Sequence, residues 1–183
     1  MAQIKLNATY GLTGTLPAVS GANLTTLNAS NVSSGTLNAA RYSGGKVLQV
    51  QSNTFTASIS TSNTSFEATA AFDQITPSAT DSKILIWIDG GRGSYNGGAA
   101  EGQVKLYRQI NGGGFSALRN MHLEMRHESG GYGKPSVAFN YIDTSHSTTN
   151  AIDYKIYIKT NANTWVLNSG SSQIGILLME MAA

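Results

Sequence analysis

The sequence contains no cysteine among its 183 residues. This excludes disulfides, thiolate nucleophiles and cysteine-ligated metals. Charge is scarce as well: Asp, Glu, Lys and Arg make up 12% of the chain, about half the usual share. A net charge of +2 and the lack of any basic run give no footing for nucleic acid or an anionic membrane. No apolar stretch is long enough to span a bilayer, so no membrane insertion is expected. The opening MAQIKLNATYG has no apolar h-region and is not read as a secretory leader.

Small polar residues fill the space. Glycine, serine, threonine, asparagine and alanine dominate, which favours backbone-driven β structure with short turns over helices. Sequons at Asn7, Asn23, Asn28, Asn31 and Asn63 are read as chance in so Asn- and Thr-rich a chain.

Composition changes sharply near Gly44–Lys46. Before that point the only charged side chains are Lys5 and Arg41. GTLPAVSG at Gly14–Gly21 is echoed by GTLNAARYSG from Gly35. Leu12, Pro17, Ala22, Leu27, Val32, Leu37 and Tyr42 fall five residues apart, a spacing that fits neither helix nor flat strand. Stacked turns or a thin fibrous winding fit it better. Each ordered residue costs ~1.5 kcal/mol of conformational entropy. The eleven larger apolar side chains of residues 1–45 are too few to offset this in a lone copy. The segment is therefore expected to order only against identical copies or a partner.

From Lys46 onward short strand patterns follow one another: Val47–Gln51, Thr54–Ile59, Phe66–Phe72, Lys83–Asp89, Gln103–Gln109, Met121–His127, Val137–Ile142, Tyr154–Lys159, Thr164–Leu167 and Gln173–Met181. Turn-rich stretches such as GGRGSYNGG, NGGG and ESGGYGKP separate nearly all of them. The pattern predicts an all-β sandwich or jelly roll over residues 46–183, preceded by a stem over 1–45. Alternation predicts Met121, Leu123 and Met125 on one face, and Tyr154, Ile156 and Ile158 opposite Lys155 and Lys159. In KILIWID and IGILLMEM both faces are apolar. Leu85, Trp87, Leu177, Met179 and Met181 form the second face, which a single sandwich leaves uncovered. Self-association would cover it, and a local loop folding over the strand is the alternative.

These residues carry a family resemblance. GLTGTLPAVSGANLTTLNASNVSSGTLNAARY resembles the repeat segments of bacteriophage tail fibres, particularly marine and cyanobacterial ones. GKVLQVQ, SISTSNTSFEATA, ITPSATDSKILIWI and IGILLMEMAA are similar to the domain that often follows such repeats. The resemblance implies a homotrimer with a virion-anchored N-terminal segment and a distal receptor-binding knob. Such knobs are often jelly rolls shaped like the tumour necrosis factor fold. It implies partners in other virion proteins and in a host surface glycan or protein, after assembly in the host cytoplasm. A head fibre or capsid decoration with a purely structural role is the alternative. The expected trimer interface comprises Leu27, Val32 and Leu37 of the stem with Trp87, Leu177 and Met179 of the knob.

No enzyme chemistry is expected. His122 and His127 point to opposite faces of one strand and make a poor ligand pair, so no metal is assigned. GGYGKP has Pro135 where a phosphate loop needs Ser or Thr. The ten acidic residues are scattered singly, unlike a glycosidase pair. No cofactor is implied. Binding would fall to loops. If strands alternate in direction from the stem upward, the loops with Asn111, His146, Thr148 and Ser171 lie distally. Those with Arg92, Tyr95 and Tyr132 then face the stem or flank, and remain candidates for their side-chain chemistry.

Overall fold

A computed structural model of the protein describes residues 45–96, 100–127 and 136–183. The described residues are all-β, with no helix. Eleven strands follow in order: β1 (Val47–Phe55), β2 (Ile59–Thr61), β3 (Glu67–Ile75), β4 (Lys83–Arg92), β5 (Ser94–Asn96), β6 (Ala100–Ile110), β7 (Ser116–His127), β8 (Ser136–Asp143), β9 (Ile152–Thr160), β10 (Thr164–Leu167) and β11 (Ile174–Met181).

Eight long strands build two four-stranded antiparallel sheets, β1-β11-β4-β8 and β3-β9-β6-β7. The short strands β2, β10 and β5 form a third sheet. Pairing among the long strands is nested. The first pairs with the last (β1 with β11), the second with the second-last (β3 with β9), then β4 with β8 and β6 with β7. The two large sheets share one core, an arrangement consistent with a β-sandwich.

The period-two alternation decides what each strand contributes. Ile84, Ile86 and Ile88 of β4 and Ile174, Ile176 and Leu178 of β11 are buried against Ile152, Tyr154, Ile156 and Ile158 of β9. Val104 and Leu106 of β6 complete the centre. Lys155 and Lys159 turn outward, as the alternation predicts. The side chains of MHLEMRH lie outside the described residues.

Two expected strands are one. Val47–Gln51 and the start of Thr54–Ile59 are continuous in β1, and Ile59 opens β2. Ser52 and Asn53 read as a break, yet β1 lies at a sheet edge, where polar residues cost nothing in burial. A bulge between Val47 and Gln49 opens the strand.

Glycine has a local role at two places. Gly102 presses against the Trp165 indole, where a Cβ would collide with the ring. At Gly90 (φ 86°) and Gly91 (φ 68°), near the end of β4, the chain passes through the left-handed region against Gln173 and Ile174, where the register with β8 shifts.

Candidate functional site

The ends of the sandwich define what its loops can reach. The Ala182 N–H donates to the Lys46 carbonyl at 2.8 Å, so the chain leaves this part beside the point where it arrives. Lys83 starts β4 at that same end, opposite Met181. The 76–82 and 144–151 connections and the β6–β7 turn also gather there: Ser82 meets His146, and the Asn111 N–H donates to the Ala151 carbonyl at 2.9 Å. The opposite end holds Arg92, Tyr95 and Ser171.

This reverses part of the loop assignment expected from strand parity. Asn111 and Thr148 lie at the Lys46 end, not away from it, and Arg92 and Tyr95 lie at the far end. The cause is the unbroken β1: counting it as two strands inverted the directions assigned from β3 through β9. Ser171 is at the far end, as expected. Tyr132 lies outside the described residues, as do Leu27, Val32 and Leu37.

The individual side chains sort further. Asn111 is exposed with φ 51°, a turn position that asparagine tolerates. His146 corrects the expectation of an accessible loop residue, because it is only 3% exposed. Its Nε2 lies 2.8 Å from the Ser82 carbonyl, and with the proton on that nitrogen Nδ1 accepts from the Thr148 N–H at 3.4 Å. This histidine ties two loops together. Arg92 and Tyr95 are also engaged in the fold. The Tyr95 hydroxyl accepts from the Gly102 N–H at 2.9 Å, and its ring stands 6.5 Å from Trp165. The Arg92 carbonyl accepts from the Ser169 N–H at 3.0 Å. Ser171 is exposed, with φ 62°.

Trp87, Leu177 and Met179 lie together on the outer face of the β1-β11-β4-β8 sheet. Register places Val50, Met179, Leu85 and Ile142 in one row across all four strands, with Leu177 and Trp87 paired in the next. Trp87 is 51% exposed, Val50 48% and Ile142 48%. A shallow depression runs between Ser52, Thr54, Trp87, Leu177 and Met179. Lys83 and Asp89 are the charged members of β4 on this face, one at each end of the apolar rows.

The outer face of the β3-β9-β6-β7 sheet differs in character, and loop-centred reasoning missed it. Lys105 and Tyr107 of β6 register against Tyr157 and Lys155 of β9, so cation and ring alternate in both directions. The Tyr107 and Tyr157 rings stack with centroids 3.8 Å apart. Phe66 continues the row beyond Tyr107, and Phe115 beyond Tyr157. Burial against Tyr107 pushes the Tyr157 hydroxyl above its ordinary pKa. The signal lay in K-x-Y at Lys105–Tyr107 and K-x-Y-x-K at Lys155–Lys159.

Two buried carboxylates hold the Lys46 end. Asp143 receives two hydrogen bonds from Arg108 Nη1, at 2.9 and 2.7 Å, one from the Tyr154 hydroxyl at 2.7 Å and one from the Ser145 N–H at 2.9 Å. Burial alone would raise its pKa, but these donors outweigh it and hold Asp143 below the ordinary carboxylate value. Tyr154 moves upward, through burial and then the adjacent carboxylate. Glu180 accepts from Gln49 Nε2 at 2.6 Å and from the Ser78 N–H at 2.8 Å. Desolvation opposes its ionisation, and the donors prevail to lower its pKa. Both acids are saturated by fold-internal donors. Among the described residues no three His, Asp or Glu side chains converge as metal ligands would.

No family model matches the chain, and no curated protein matches it.

Proposed function

We propose that the chain is the subunit of a homotrimeric virion fibre, with residues 1–45 as a stem and 46–183 as a jelly-roll knob that adsorbs to a host cell surface without catalysis. The apolar outer face of β1-β11-β4-β8 carries this reading. Trp87, Val50 and Ile142 are about half covered already, so burying the rest is worth roughly 1 kcal/mol per side chain, which a monomer forgoes. A contiguous exposed apolar patch of this kind marks an association surface.

Identical copies are the occupant best suited to it. The stem sequence also lacks enough apolar side chains to order alone, and it leads directly into β1, the edge strand of this same sheet. Two requirements for company thus meet on consecutive residues. The nested strand pairing supports the jelly roll, whose long hairpin folds over so that its first strand pairs with its last. Lys46 and Ala182 share one end of the sandwich, and the opposite end, with the exposed Ser171, supports a knob that presents loops to a receptor.

Light scattering on the purified full-length chain tests the assembly. A molar mass near three times 19.3 kDa supports it, and a monomer overturns it. Fluorescently labelled protein mixed with a panel of marine cyanobacterial strains tests adsorption. Binding to phage capsids with no cell binding would transfer the reading to capsid decoration.

A further inference from the structure

We propose that the outer face of the β3-β9-β6-β7 sheet is a binding surface for an acidic polysaccharide, with its rings contacting sugar C–H groups and its lysines pairing with carboxylate or sulfate groups. Four rings run in sequence: Phe66, Tyr107, Tyr157 and Phe115. The Tyr107–Tyr157 stack turns two of their faces toward each other, so a ligand meets ring edges, the remaining faces and the tyrosine hydroxyl tips, which suit sugar C–H groups and hydroxyls.

Cations flank both ends of the row. The Lys105 and Lys159 ammonium groups stand 5.2 and 5.1 Å from the Phe66 centroid. Lys155 stands 4.8 Å from the Phe72 centroid and 4.9 Å from that of Phe115. These contacts hold the ammonium groups over rings and reduce the side-chain entropy lost when an anion binds. Among the described residues none of the three lysines pairs with a carboxylate; the ion pair there is Arg108–Asp143. The nearby carboxylates keep their charge but take their hydrogen bonds from glutamine amides and not from these lysines. Asp153 accepts from Gln74 Nε2 at 2.7 Å, and Glu101 accepts from Gln103 Nε2 at 2.9 Å.

Charge complementarity therefore calls for a polyanion, and the ring row calls for one with apolar faces. Single-stranded nucleic acid shares both traits. Its closely spaced phosphates need more neutralising cations than three lysines on a chain of net charge +2 provide.

The inference rests on the adsorption reading for its setting. With the apolar sheet turned to the trimer axis, each subunit turns this second sheet outward, and three copies bind one polymer with avidity. The test measures binding of the full-length chain to polygalacturonate, dextran sulfate, neutral dextran and oligothymidylate. Binding to either acidic polymer but not to dextran is expected, and whichever binds more tightly identifies carboxylate or sulfate as the partner group. K105Q/K155Q/K159Q should weaken that binding by about threefold to a hundredfold, the combined loss of three screened charge contacts. Tyr157→Ala should weaken it with all three lysines intact.

Equal binding by wild type and the triple variant would overturn the proposal, as would tighter binding to oligothymidylate or none to the acidic polymers. The two readings fail separately. Cell binding unaffected by the triple variant sinks this surface and leaves adsorption standing. Polysaccharide binding without cell binding leaves the surface and removes adsorption.

Discussion

Trp87 and Leu177 sit directly opposite one another on β4 and β11, both turned away from the core on a face whose next row is also apolar. If three copies pack through this face, as proposed, a charge placed there would be buried unpaired between them, at a cost of several kcal/mol. On that proposal Trp87→Glu is expected to reduce the molar mass from three chains to one. Because Trp87 is 51% exposed in the single chain, the far-UV circular dichroism of the variant should remain that of a β protein. A variant that stays trimeric would move the interface elsewhere.

Asp143 is fully buried beneath Arg108 and Tyr154. Removing its charge leaves the guanidinium without a counterion, so Asp143→Asn should lower the unfolding free energy by about 3 kcal/mol or more. Tyr154→Phe deletes a single hydrogen bond to the carboxylate and should cost about 1.5–3 kcal/mol. Urea titrations of both variants give the comparison, with Asp143→Asn expected to be the worse.

The same carboxylates set the acid limb of stability. Asp143 and Glu180 titrate lower in the folded chain than in the unfolded one. Their contribution is complete above the unfolded value of about 4 and fades as pH falls through the lower folded values. The urea midpoint should hence drop from pH 5 to pH 3. An Asp143→Asn/Glu180→Gln double variant should show a flatter pH profile over that interval. A wild-type midpoint that does not change with acid would contradict the assignment.

Gly102 lies under the Trp165 indole, and Trp165 is fully buried. Gly102→Ala places a methyl group inside the space of that ring, and displacing it should cost about 1–3 kcal/mol. Near-ultraviolet circular dichroism should report the shift of Trp165 while the far-ultraviolet spectrum is retained. Gly112→Ala is a contrasting case: its Cβ meets nothing within 4 Å, so only its φ of 70° is strained.

Alternation is a local property, and where it was clean the sequence could be read well. KILIWID and DYKIYIK place their buried and outward residues as the period-two pattern dictates, because one face of each strand must enter the core. Breaks were harder. Ser52-Asn53 has the composition of a turn, and only its position at a sheet edge explains why the strand continues. That one misreading turned Asn111 and Thr148 to the wrong end. His146 was misjudged for a related reason, since the loop around it looks solvated and its burial depends on Ser82, sixty-four residues away. The lysine–aromatic face needed the β6–β9 register, which brings Lys105–Tyr107 beside Lys155–Tyr157 and is invisible in either segment alone.

The position of β11 between β1 and β4 has a consequence for synthesis. β1 is made well before its partner among the described strands, which follows more than a hundred residues later, with Val47 matched to Met181. At about 5–20 residues per second of translation, this edge strand waits roughly 6–25 seconds before it can be zipped in. Until β11 is made, the β4–β8 pair is the only part of that sheet able to form. Folding of this part is thus gated by its last strand, and its long-range pairing predicts slow maturation. Nascent chains stalled before Ile174 would expose the β1 and β4 edges together, which makes them the natural clients of a chaperone.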